Sequence, residues 1–299
     1  MKIESISFDG LSYTSKCCYS AILGLCAITS LVGNIISIVI LRRPAMRSKS
    51  NRLLISLAVS DCLVGVHCIS LTCYLPVDQL FLNYDILYLN FVLIAFLTVS
   101  SIISLAFISY DRFCKLDPQT YETKISDMKS KVMVAIAWIW PTVIQATLML
   151  DFFYVTAALG MLTGITAAVV IGVSYGRIRQ TIKSNTKILN NSTQDEETKQ
   201  LRLHKDKKLA RRLYVLILAY FACFVPLLSR IIIDMISIDI FNLDAKEIAL
   251  QHLRFISIFG IYMDSAFNPI IHLTTNIKMR KALKKMALFS ILNRIGSST

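Results

Sequence analysis

Residues 86 to 110 (ILYLNFVLIAFLTVSSIISLAFISY) carry no charged side chain, and Asp111-Arg112-Phe113 ends the run. As a helix this stretch is long enough to cross a hydrocarbon core roughly 30 Å thick. An acid followed by an arginine at the exit suggests a poised ion pair. The plainer alternative is that both charges simply sit among lipid headgroups.

The rest of the chain repeats the pattern. It is 55% hydrophobic over 299 residues, with a mean hydropathy of +0.59, outside the range of ordinary soluble domains. Seven stretches read as spans, at about 17–41, 53–77, 86–110, 132–150, 152–176, 213–236 and 255–277. Only Asp151 separates the fourth from the fifth, and one helix of their combined length would be about twice a bilayer, so the chain turns there. The expectation is an all-α membrane protein: an outer segment 1–16, a seven-helix bundle 17–277, and an amphipathic helix with a short tail at 278–299.

Of 32 Lys and Arg, 27 fall in 42–52, 112–131, 177–212 and 278–294. The positive-inside rule makes those segments cytoplasmic, with the N-terminus outside and the C-terminus inside the plasma membrane. The first span is expected to act as its own insertion signal. The formal charge of +13 then belongs to a rim that faces anionic membrane lipid, and nucleic acid is not an expected partner. The outer connections are too short for an enzyme domain. The four His have no metal-ligand spacing, and there is no nucleophile elbow or phosphate loop, so an enzyme is not expected.

Polar side chains inside the spans must face the bundle interior, because hydrocarbon offers them no partner. Asn34, Asp61, Asp264 and Asn268 are such residues. A lone intramembrane carboxylate like Asp61 marks a functional site. His67 reads as a hydrogen-bonded side chain without a ligand role. One reading is a transporter or channel that moves ions past Asp61 and Asp264, although the internal repeats of transporters are not visible.

Gly33-Asn34, Leu57-Ala58-x-x-Asp61, Asp111-Arg112-Phe113, Trp138, Cys223-Phe224-x-Pro226 and Asn268-Pro269 follow one another on successive spans. In that order they resemble the rhodopsin-like (class A) family of G-protein-coupled receptors. The resemblance implies an activation switch in which Arg112 pairs with Asp111 and with Asp206. The competing reading leaves Asp206 as one charge in the solvated run Lys205–Lys208. Pro226 would kink the sixth helix and let its inner half swing out. Phe224 stands where the family most often has Trp, Asp264 where it has Asn, and His272 where it has Tyr. Tyr175 matches a tyrosine that turns toward the arginine on activation.

The resemblance also implies an allosteric Na⁺ pocket lined by Asp61, Ser101, Asp264 and Ser265, with Asn34 and Asn268 in the surrounding network. No other cofactor is implied. The implied partners are a heterotrimeric G protein and an extracellular ligand. Arrestin and kinases could act on the polar segment 183–208, where Ser184, Thr186, Ser192, Thr193 and Thr198 are available.

The implied ligand pocket is mostly apolar: Ile94, Ala95, Thr98, Leu159, Thr163, Leu227, Leu228, Ile231 and Ile258. Arg230 and Arg254 at its rim could hold a carboxylate or phosphate, which favours a lipid-like ligand. Arg230 could equally pair with Asp234 one turn on. A peptide is the alternative, given the outer acids Asp78, Asp85, Asp239, Asp244 and Glu247. Amine receptors have an Asp where this chain has Ile94. The minimal second outer loop, Leu87 in place of a cysteine and the missing proline of helix five resemble the group containing melanocortin, cannabinoid and lysophospholipid receptors. A link from Cys73 to Cys17 or Cys18 is permitted, and buried free thiols are the alternative. Gly160, Gly164, Ala168, Gly172 and Gly176 form a small-residue stripe, expected to pack within the bundle, with dimer formation as the alternative.

Overall fold

The computed structural model describes residues 11–75, 84–115, 125–190, 248–275 and 278–285, together with Val225. Every regular element among them is helical: α1 (Tyr13–Leu41), α2 (Lys49–Tyr74), α3 (Tyr84–Cys114), α4 (Asp127–Met149), α5 (Phe153–Asn190) and α6 (Ile248–Thr275), then α7 over residues 278–285. A short 3-10 turn, Pro44–Met46, joins α1 to α2. Here α6 is the seventh span of the sequence. The sixth span apart from Val225, and with it Asp206, Phe224, Pro226, Leu227, Leu228, Arg230 and Ile231, lies outside the described residues, as does the Arg254 side chain. Helices α1 to α5 are each long and apolar enough to cross a membrane.

Three starts share one device. The side chains of Ser12, Ser48 and Ser126 accept from the backbone N–H groups of Ser15, Asn51 and Lys129 at the beginnings of α1, α2 and α4. Each satisfies a donor that the first helical turn leaves without a partner.

The turn between the fourth and fifth spans is a tight helix stop. Asp151 has φ 64°, its N–H donates to Leu148 O at 3.0 Å, and Phe152 N–H donates to Thr147 O at 2.9 Å. This pair of bonds around a left-handed residue reverses the chain at once. Thr147 and Thr156 hydroxyls meet at 2.7 Å across the reversal. The helix begun at Phe153 does not end near residue 176 as the span length suggests. It continues through 177–190, part of the stretch taken for a polar connection, because Arg, Lys, Gln and Ile there are adequate helix formers.

Two buried clusters fill the bundle. Near Arg112, Ile40, Leu41, Leu53, Leu57, Leu105 and Ile171 pack together, and Met279 brings α7 onto them. Lys278, Arg280, Lys281, Lys284 and Lys285 stay exposed, giving α7 the amphipathic character expected of it. Toward the opposite end, Leu23, Val64, Cys68, Leu97, Phe255 and Tyr262 form the second cluster. Tyr19 of α1 stacks on Phe255 and bonds His252, which ties α1 to α6 there.

Ala168 of the α5 small-residue stripe packs against the buried cluster as expected, whereas three of its glycines differ. A Cβ added at Gly160, Gly172 or Gly176 would meet nothing within 4 Å. These three positions face outward from the described helices, so the stripe is not a bundle-packing seam along its whole length.

Candidate functional site

Asp61 of α2 is fully buried, and three donors from two other helices converge on its carboxylate. Ser101 of α3 donates to Oδ1 at 3.2 Å. Ser265 of α6 donates to the same oxygen at 3.0 Å, and Asn268 donates from Nδ2 to Oδ2 at 2.9 Å. Ser265 and Asn268 are three positions apart, which puts them on one face of α6. A buried carboxylate is tolerable because each oxygen has donors.

Asn34 belongs to the network without touching Asp61. Its Nδ2 donates to Ser30 O at 2.9 Å and to Ser265 O at 3.2 Å. Ser30 closes the loop by donating from Oγ to the Asp61 carbonyl at 2.8 Å. The neighbouring Gly33 lets α6 approach. A Cβ there would lie 2.6 Å from Pro269 Cγ, so the paired glycine and asparagine serve one contact, steric and polar.

Asp264 lies beside this network, partly buried. It is near enough for the two carboxylates to repel when both are ionised. Among the described residues it makes no hydrogen bond or ion pair. The structure therefore joins Asp61, Ser101, Ser265, Asn34 and Asn268 in one hydrogen-bonded network, with Asp264 outside those bonds and Ser30 as a member that sequence reasoning missed.

At the Arg112 end the expected pairing differs. Asp111 is 1% exposed, accepts from Ser50 Oγ of α2, and has Lys115 Nζ at 3.6 Å from Oδ2. No ion pair joins Arg112 to Asp111 among the described residues. Lys115 lies four positions on along the same helical face and reaches the carboxylate, for which Arg112 on the neighbouring face competes. Tyr175 of α5 is partly buried, and His272 stands on α6 one turn beyond Asn268.

Two other contacts brace this half. Trp138 donates from Nε1 to Ser56 Oγ at 2.9 Å, joining α4 to α2. Arg52 at the start of α2 pairs with Asp127 at 2.7 Å.

In the expected ligand pocket, Ile94 and Ile258 both pack against the cluster holding Tyr262, Leu97 and Phe255. The hydroxyls are engaged locally: Thr98 donates to Ile94 O at 2.7 Å and Thr163 to Leu159 O at 2.7 Å. Thr163 also accepts from Trp140 at 3.0 Å, and Trp140 is exposed. Thr163 thus belongs to the seam between α4 and α5 and does not offer its hydroxyl to the bundle interior.

The polar feature of this region is one the sequence reading left without a partner. His67 Nδ1 and the Tyr262 hydroxyl meet at 2.8 Å, and His67 Nε2 lies 3.0 Å from Asn90 O. A carbonyl only accepts, so Nε2 carries the proton and Nδ1 accepts from the phenol. The imidazole thereby joins α2, α3 and α6. Cys17, Cys18 and Cys73 carry free thiols, and no disulfide links them.

Comparison with known proteins agrees with this arrangement. The family described as 7 transmembrane receptor (rhodopsin family) matches residues 33–154 and 144–272. Trace amine-associated receptor 8c of Mus musculus is 24% identical over 312 residues, covering 92% of this chain and 88% of the relative. Trace amine-associated receptor 1 of Mus musculus is 25% identical over 311 residues, covering 93% and 90%. Muscarinic acetylcholine receptor M3 of Sus scrofa is 27% identical over 143 residues, covering 44% and 23%. None of these three is a melanocortin, cannabinoid or lysophospholipid receptor. The matches are to receptors, which sets aside the enzyme and transporter classes. The chain belongs to the rhodopsin family of seven-transmembrane receptors.

Proposed function

We propose that this receptor takes a lipid-like ligand between its helices on the extracellular side and activates a heterotrimeric G protein through a cleft beside Arg112. Membership of the family makes it a multi-pass plasma-membrane receptor with an extracellular ligand and a G protein as partners. The finer reading, with the N-terminus outside, rests on where the Lys and Arg lie. The observation that carries it is the Asp61 network: one buried carboxylate holds α2, α3 and α6 together between the cluster around Ile94 and the Arg112 end. A change of helix packing at one end must rearrange those bonds before it reaches the other.

Sodium fits the same place as an allosteric ligand. Asp61, Ser101, Ser265 and Asp264 offer only oxygen atoms, the donor set of a hard cation. A cation would relieve the repulsion between the two carboxylates.

The relatives' names favour a second ligand class, small amines. Ile94 offers an ammonium no counter-charge, so an amine would need a different anchor; Ile94 and Ile258 suit an apolar ligand better. Measuring G-protein dissociation in cells against panels of lysolipids, fatty acids, short peptides and arylalkylamines separates the readings. A lipid response lost in Arg112→Ala supports the proposal. A response to amines alone replaces the ligand class, and silence of well-trafficked protein toward every ligand and every G-protein class overturns the coupling.

A further inference from the structure

The pairing at the end of α3 leads beyond that reading and rests on it. Asp111 is sealed in at 1% exposure, bonded by Ser50 from α2 and approached by the Lys115 ammonium, whose side chain is 33% exposed. Both contacts are geometrically fixed: Ser50 lies in the first turn of α2, and Lys115 lies four residues after Asp111 on the same helical face. Arg112, on the neighbouring face, has no ion pair among the described residues. Two cations four positions or fewer from one carboxylate compete for it, and here the lysine holds it.

We infer that Lys115 is a positioning residue that holds Asp111 away from Arg112 and so leaves the arginine available to the G-protein cleft without ligand. The setting of Lys115 agrees with this competition. Burial holds its ammonium below the usual lysine range, the nearby Arg112 charge adds to that, and Asp111 works against both. Losing the lysine frees the carboxylate and removes a repulsive neighbour of Arg112. Both effects let Asp111 swing its second oxygen toward the guanidinium and quieten the receptor.

The test is ligand-free G-protein dissociation at matched surface expression. It compares wild type with Lys115→Met, which keeps an apolar stem, Lys115→Arg, which restores the charge, Arg112→Ala, and the pair Asp111→Asn with Asp111→Asn/Lys115→Met. Wild type is expected to signal without ligand. Lys115→Met lowers that signal roughly five-fold, the most a partly exposed ion pair imposes on a two-state balance. Lys115→Arg brings it back, and in the Asp111→Asn background the lysine no longer matters. An unchanged basal signal in Lys115→Met, with Arg112→Ala still reducing it, overturns the inference and leaves the coupling intact. So does a wild type that is silent alone but responds to any of a panel of lysolipids, fatty acids, short peptides and arylalkylamines. Silence both alone and with that whole panel removes the coupling reading itself.

Discussion

A methyl group on Gly33 of α1 would sit 2.6 Å from Cγ and 2.7 Å from Cβ of Pro269 on α6. Both atoms belong to a rigid ring in a helix interior, so neither can yield as a flexible side chain would. Gly33→Ala is predicted to push the two helices apart and to cost about 1–3 kcal/mol, the usual penalty of overpacking. Thermal unfolding of the purified receptor measures it. Gly160→Ala, where an added Cβ meets nothing within 4 Å, is the control and is expected to leave the melting temperature unchanged or slightly raised.

Asp151 adopts a left-handed backbone that favours glycine. Asp151→Gly is predicted to stabilise the receptor by about 0.5–1 kcal/mol, and Asp151→Val to destabilise it by more than about 1 kcal/mol, because a β-branched residue fits that conformation poorly. Melting temperatures moving in opposite directions would bear this out. Equal losses from both would mean that the aspartate side chain, not the backbone, holds the turn.

The His67–Tyr262 bond predicts an asymmetric mutant cycle. Tyr262→Phe strands a buried imidazole nitrogen and is expected to cost roughly 1–3 kcal/mol. Adding His67→Leu removes the stranded group, so the double variant should lose clearly less than the sum of the two singles. Additive losses would show that the 2.8 Å contact contributes no coupling.

A cation between Asp61 and Asp264 predicts a salt-specific melting temperature. Wild type should melt higher in NaCl than in N-methyl-D-glucamine chloride of equal ionic strength. Asp264→Asn should lose most of that difference, since it takes away one of the two charges. A wild type indifferent to the exchange would count against the sodium site.

How much of this was legible beforehand follows from what hydrocarbon forbids. Asn34, Asp61 and Asn268 announce themselves because a polar group in a span has to be satisfied from within, and the structure joins them. Ser30 and Ser50 carry no such signal. Serine is common in these helices, and a single hydroxyl can bond its own helix, as Thr98 and Ser109 do. The Asp111-Arg112 pairing was suggested by adjacency in sequence, which does not disclose Lys115, four positions on, as a competitor for the same carboxylate. The Trp140–Thr163 contact likewise depends on how α4 and α5 rotate about the Asp151 turn, which periodicity in two nearly uniformly apolar helices does not specify.

Coupling through Arg112 is tested most directly by GTPγS uptake on purified G-protein heterotrimers with the receptor in lipid nanodiscs. Wild type should accelerate uptake above empty nanodiscs, further with an activating ligand, and Arg112→Ala should return it to the empty-disc rate while melting at the wild-type temperature. Uptake equally fast with Arg112→Ala, or no faster than empty discs with any G-protein class, would contradict the account.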